Sequence, residues 1–173
     1  MISFFNDVFD TDYAMYLYDS SMELLTNGSH VWKTNYSWPK NIINASHPVL
    51  IRQVSQSDKF KILSTLYDKG IIEDRNYVVL NYLWTKLSYI PWHDDSHVTD
   101  AATVYLNPTW HYDWGGTFNY SFDEHNDIKT FKGIVPSFNM AVKNTEHTPH
   151  HVSPISLDAP FPRCTIQLFK DDF

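Results

Sequence analysis

The sequence predicts an α+β chain, mainly β, in which two amphipathic helices precede a double-sheet jelly roll. Three observations lead there. Helix-period apolar positions flanked by capping residues are confined to the first 76 of 173 residues. From Tyr77 onward, about eight short runs of β-branched and aromatic residues alternate with turn residues. The chain also carries 6 Trp, 11 Tyr and 11 Phe, side chains that favour pleated surfaces with large contact areas over loose helical packing.

The first helix begins at Asp10 or Thr11, both good N-cap types, and runs to about Leu25. Tyr13, Leu17 and Leu24 fall on one face, and Asn27-Gly28 supplies the stop. A polar, proline-containing stretch follows, in which "VWKTNYSW" reads as an edge strand. Ser57 caps a second helix whose Phe60, Leu63 and Tyr67 recur at i, i+3 and i+7 before Gly70 ends it. Strands are then expected at residues 77–87, 89–93, 101–107, 116–121, 128–131, 139–142, 151–155 and 163–170. The length fits one domain, with residues 1–76 as helical support and 77–173 as the jelly-roll core.

Composition excludes several classes. Cys164 is the only cysteine, so there is no internal disulfide. A formal charge of −7 without a Lys/Arg cluster argues against nucleic acid, whose affinity rests on phosphate neutralisation. No apolar run reaches the roughly 18 residues of a membrane helix, so no membrane partner is expected. "MISFFNDVFDTDY" lacks the basic start of a signal peptide, so a cytoplasmic location is expected.

The chemistry concentrates in "IPWHDDSHVTDAATVYLN", residues 90–107. Residues i and i+2 of a strand share a face, so His93 and Asp95 point together while Asp94 points away. Two histidines and one carboxylate with open positions suit non-haem Fe(II). The second histidine must come from "NTEHTPHHVSPI", which offers His147, His150 and His151. His150 shares the face of apolar Val152, which makes it the better inward ligand. Solvated loop residues are the alternative for both clusters. In "FPRCTIQLF", Cys164, Ile166 and Leu168 form an apolar face, and Arg163, Thr165 and Gln167 a polar one. Arg163 lies 13 residues beyond His150, on the strand expected next in the same sheet. An inward Arg needs a partner, and its planar fork matches the carboxylate of a small dicarboxylate, with the Tyr105 hydroxyl available to the same group.

These pieces, in order, resemble the Fe(II)- and 2-oxoglutarate-dependent dioxygenases, specifically the prolyl 4-hydroxylase-like branch in its small stand-alone bacterial and phage form. The matching segments are H-x-D at His93-Asp94-Asp95, "TVYLN", "WGG" at Trp114-Gly115-Gly116, "VPSFNMAVKN", "PHHVSP" and "RCT". The resemblance covers residues 77–169 and implies a double-stranded β-helix with the N-terminal helices packed on the major sheet. It implies His93, Asp95 and His150 as iron ligands. It also implies Arg163, Tyr105 and Thr165 around 2-oxoglutarate, with Tyr82 as the upstream tyrosine, although "LWTKL" replaces the usual Pro-Gly segment after it. Dioxygen is the second cosubstrate and ascorbate a candidate reductant. The implied reaction hydroxylates a prolyl residue of a peptide or protein and releases succinate and carbon dioxide. Trp92, Trp110 and Trp114 are candidates for a proline-binding groove, and the loop 108–114 for a lid over it. His97, His111 and His125 read as surface or loop histidines. Two alternatives remain: the same chemistry on a free amino acid or other small molecule, and a non-catalytic jelly-roll interaction protein. A hydrolytic zinc enzyme would leave Arg163 and Tyr105 without a task.

Overall fold

The computed structural model describes residues 1–35, 38–45, 48–121 and 130–170. Among them are three α-helices, α1 (Thr11–Asn27), α2 (Lys40–Ala45) and α3 (Gln56–Asp68), and eleven strands. The strands are β1 (Ile2–Phe5), β2 (Lys33–Thr34), β3 (Leu50–Gln53), β4 (Val78–Trp84), β5 (Ile90–His93) and β6 (Asp100–Tyr105). They continue with β7 (Phe118–Ser121), β8 (Phe131–Ile134), β9 (Met140–Asn144), β10 (His150–Val152) and β11 (Arg163–Lys170). They form a seven-stranded sheet of order β1-β9-β6-β11-β4-β3-β2 and a four-stranded sheet of order β5-β10-β7-β8. Every named pairing is antiparallel.

Alternation along the major-sheet strands divides the interior into two cores. Cys164, Ile166 and Leu168 of β11, Ala102 and Val104 of β6 and Val79 and Leu83 of β4 meet α1 and α3 on the outer face. Leu80, Tyr82 and Trp84 of β4, Tyr105 of β6 and Val142 of β9 face the minor sheet, where Ile90, Phe118 and Val152 complete the second core. Ile166 and Leu168 are 1% and 0% exposed, and each fully buried aliphatic side chain contributes roughly 1.5–3 kcal/mol.

The first helix matches its expectation: Asp10 caps it by accepting from the Asp12 N–H, Tyr13 and Leu17 are buried, and Leu24 packs at the margin. Ser21 is also buried on this face and donates to Asn81 of β4 at 2.8 Å. The third helix differs in cap and face. Ser55, not Ser57, accepts from the Asp58 N–H, and the buried stripe is Ile62, Leu63 and Leu66. Phe60 and Tyr67 are 68% and 46% exposed. Ile62, Leu63 and Leu66 join the helix-side core, while the Tyr67 ring lies under the Arg75 guanidinium at the surface.

Residues 1–76 supply strands as well as helices, and these complete both edges of the major sheet: β1 pairs with β9, and β3 and β2 extend from β4. The edge strand expected in "VWKTNYSW" is the two-residue β2, with residues 36–37 outside the described residues. The strand expected at 128–131 lies instead at Phe131–Ile134, with 128–129 outside the described residues, as is His125. The expectation that β11 follows β10 in one sheet is overturned. β10 pairs with β5 and β7, whereas β11 crosses to the major sheet between β4 and β6. The long connection 153–162 makes that crossing possible, and Arg163 therefore faces the barrel interior from the opposite wall to His150.

Candidate metal centre

Local geometry brings His93, Asp95 and His150 together for reasons that simple alternation does not supply. Between β5 and β10 the register shifts: His150 pairs with His93, but Val152 pairs with Ile90. This bulge places one extra residue in β5 and so re-aims its end. Ile90 and His93 both line the interior cavity, and Trp92 is turned outward onto His151 and Phe131. The strand ends at His93. Asp94 closes a turn by accepting from the Ser96 N–H at 3.0 Å, and Asp95 takes a left-handed φ of 59°, a conformation that Asp tolerates better than most residues. The turn, not the strand, folds the Asp95 carboxylate back onto the imidazoles.

Its two oxygens lie 3.3 Å from His93 Nε2 and 3.3 Å from His150 Nε2. One ligand atom from each of the three residues falls within 4.8 Å of the others, a cluster able to grip a single cation. Each imidazole is oriented from behind: His93 Nδ1 meets the Pro91 carbonyl at 2.8 Å and His150 Nδ1 the Thr148 carbonyl at 2.9 Å. A carbonyl only accepts, so each Nδ1 donates to it, and each Nε2 is the nitrogen turned toward Asp95 and available to a metal. Burial pushes the His150 pKa down to about 4 against the pull of Asp95, which keeps the ring in the neutral, metal-ligating form. Burial would raise Asp95, but His150 and the hydrogen-bonding His93 outweigh it and hold the carboxyl well below its usual range.

The cavity over this cluster is walled by Ile90, Phe118, Val142 and Val152, with Thr103, Tyr105, Asn144 and Gln167 as its polar side chains. Tyr105 is 4% exposed, and burial raises its pKa to about 12, so its hydroxyl stays a donor. Behind its ring lies Arg163, 1% exposed, with its guanidinium 4.6 Å from the Tyr105 ring centre and 5.0 Å from that of Trp110. Nη1 donates to the Gly116 carbonyl, Nη2 donates to the Pro136 carbonyl at 2.9 Å, and Nε is buried with no partner. Among the described residues no carboxylate pairs with it, and burial pushes its pKa down to about 10. Gly116, at φ 62°, makes the room: a Cβ there would stand 3.1 Å from Arg163 Nη1.

The other expected residues are placed as follows. Thr165 is fully buried, and its hydroxyl accepts from Trp84 Nε1 at 3.2 Å. Tyr82 is 1% exposed on the inner face of β4, its ring against Trp38 and Trp84. Neither Thr165 nor Tyr82 lines the cavity over the cluster. Nor do Trp92, Trp110 and Trp114: Trp92 lines an open groove beside His93 with Pro39, Ile42 and Pro149. Trp110 and Trp114 cross edge to face and pack on Phe161, in the loop that covers Arg163. His97 and His111 are exposed, as expected. Sequence reasoning missed Trp38, Trp84, Thr103, Asn144 and Gln167, all of which line the cavity. The alternation of β6 and β11 already set Thr103 and Gln167 on the faces of Tyr105 and Arg163, and Thr103 donates to Gln167 at 2.7 Å. Trp38 left no periodic signal.

No family model and no curated protein matches the sequence. Solved structures do. A Pseudomonas putida prolyl-4-hydroxylase is similar over 98% of this chain and 92% of its own, with a TM-score of 0.71 and 13% identity. A Trichoplax adhaerens prolyl hydroxylase, in complex with a hypoxia inducible factor oxygen degradation domain peptide fragment, is similar over 99% of this chain and 83% of its own, with a TM-score of 0.74 and 18% identity. HygX from Streptomyces hygroscopicus, with nickel, 2-oxoglutarate and hygromycin B bound, is similar over 99% and 83%, with a TM-score of 0.65 and 12% identity. The chain has the double-stranded β-helix fold of the 2-oxoglutarate/Fe(II) oxygenases, and prolyl hydroxylases are prominent among its structural neighbours.

Proposed function

We propose that the protein is an Fe(II)- and 2-oxoglutarate-dependent hydroxylase acting on a prolyl residue of a peptide or protein. One observation carries the reading. A buried guanidinium with no counter-ion among the described residues, Arg163, sits in the same barrel as an open His–Asp–His cluster. An unpaired buried charge is costly, and the missing partner is most simply the distal carboxylate of a dicarboxylate that reaches from the metal to β11.

Residues and cofactors fit on that basis. His93, Asp95 and His150 would hold the iron, and Arg163 and Tyr105 the far end of 2-oxoglutarate, with Thr165 and Tyr82 as supporting residues. When bound, these groups would supply, with dioxygen as the oxidant, oxidative decarboxylation to succinate and carbon dioxide coupled to hydroxylation of a carbon centre. The chain supplies the rest. A neutral His150 and an ionised Asp95 are ready without a prior proton transfer. Tyr105 donates without ionising, and Ile90, Phe118, Val142 and Val152 exclude water around the cluster.

Support for a peptide substrate is the Trichoplax neighbour with its bound peptide fragment and the open groove that runs past His93 from Trp92 to Ile42. A second reading, a small-molecule substrate, is favoured by the neighbour holding hygromycin B. Anaerobic addition of Fe(II) and then 2-oxoglutarate to metal-free protein should produce a visible metal-to-ligand charge-transfer band. In air, with and without ascorbate, succinate release should rise with proline-containing peptides. Absence of the band in folded protein refutes the reading. A rise with free amino acids or aminoglycosides, and none with peptides, selects the second.

A further inference from the structure

We infer that Asn144 is a positioning residue for the metal centre: its carboxamide fixes the carbonyl that orients His150 and ties together the two segments that carry the ligands. The inference rests on the reading of His93, Asp95 and His150 as metal ligands.

Asn144 ends β9 in the major sheet and is 9% exposed on the cavity wall. Both ligand segments, by contrast, belong to the minor sheet or to the turn that leaves it. The Asn144 side chain spans that gap. Its Oδ1 accepts from the Thr148 N–H at 3.0 Å, and its Nδ2 donates to the Thr148 carbonyl at 3.2 Å. One planar group therefore clamps both backbone groups of a single residue. The Thr148 carbonyl is also the acceptor for His150 Nδ1–H at 2.9 Å. Asn144 Nδ2 lies 3.4 Å from that same Nδ1 but does not donate to it, because a neutral ring nitrogen is either donor or acceptor and the shorter carbonyl contact decides. The clamp thus sets which nitrogen of His150 carries the proton, and with it the lone pair on Nε2 that faces Asp95.

The same Nδ2 reaches the carbonyl of Asp94 at 3.5 Å, in the residue between the two other ligands. Few neutral side chains can do this. The task needs an acceptor and a two-hydrogen donor on one rigid fork, which a carboxamide has and a hydroxyl or an aliphatic group lacks. Outer partners of metal-bound histidine typically set affinity by 10–100-fold when removed, and Asn144 acts one step further out, through the acceptor itself.

The test is titration of metal-free protein with Co(II), followed by its visible absorption, for wild type, Asn144→Ala and the nearly isosteric Asn144→Leu. Urea unfolding of each metal-free protein runs beside it. The dissociation constant should rise about 10- to 100-fold in both variants while unfolding stays cooperative. Asn144→Gln, which keeps the carboxamide on a longer stem, should recover part of the loss. Imidazole ¹⁵N shifts of metal-free protein should show His150 as the single Nδ1–H tautomer in the wild type and as a mixture in Asn144→Leu. A purely structural role would lower the unfolding midpoint and leave Co(II) affinity and the tautomer untouched, and that result overturns the inference. If Ala and Leu do not fold, wild-type His150 protonated on Nε2 overturns it equally. A wild type that binds no Co(II) instead overturns the ligand reading beneath it.

Discussion

Replacing Arg163 by Met separates the cost of a buried charge from its use. Burial lowers the guanidinium pKa from 12.5 to about 10, equivalent to about 3 kcal/mol against the charged form. Met removes that penalty and adds apolar burial worth roughly 1.5–3 kcal/mol. Against this, it forfeits the hydrogen bonds to the Gly116 and Pro136 carbonyls, each worth about 1.5–3 kcal/mol when charge-assisted, and the stacking on Tyr105 and Trp110. The opposing contributions nearly cancel, so without cosubstrate the variant should lie within about 2 kcal/mol of wild type. With 2-oxoglutarate the two should diverge. At a concentration 100 times its dissociation constant, a ligand stabilises by about 2.7 kcal/mol. Loss of the carboxylate–guanidinium pair weakens binding about a hundredfold, which leaves a gain of about 0.4 kcal/mol. Urea unfolding of the Mn(II)-loaded proteins with and without 2-oxoglutarate measures all four states. An equal ligand-induced shift in both proteins refutes the assignment of Arg163 to the cosubstrate. A loss above about 4 kcal/mol in the ligand-free variant would instead make Arg163 a structural keystone.

Two further substitutions test the frame around the site. Gly115→Ala puts a Cβ 2.0 Å from the Pro154 carbonyl oxygen at a φ of 71°, so it should cost about 3 kcal/mol or more in thermal or urea unfolding. Ser55→Ala should cost about 1 kcal/mol by removing the cap of α3, while Ser57→Ala should stay within about 0.5 kcal/mol. Equal effects at the two serines would restore the cap expected from sequence.

Local periodicity made much of this protein legible. Strand β11 alternates Cys164, Ile166 and Leu168 against Arg163, Thr165 and Gln167, and the structure puts the first set in the helix-side core, buries Arg163 and Thr165 on the other face, and sets Gln167 on the cavity wall. Asp10 and Gly28 bound α1 within a residue or two of expectation because caps are local chemistry. The four-residue strands β1 and β3 escaped notice, since they pair only with distant strands, β1 with β9 and β3 with β4 and β2.

The types and order of the candidate ligands and the two faces of each long strand can be read from the sequence, because these follow from side-chain chemistry and a two-residue repeat. Which wall each strand joins was set by tertiary packing. It sent β11 across the barrel from β10, turned Trp92 outward and His93 inward through one bulge, and brought Trp38, Trp84 and Asn144 to the cavity. Pairing between distant strands is chosen by the packing and hydrogen bonding of the whole sheet, and a bulge reverses the faces beyond it. No local window of residues contains either choice.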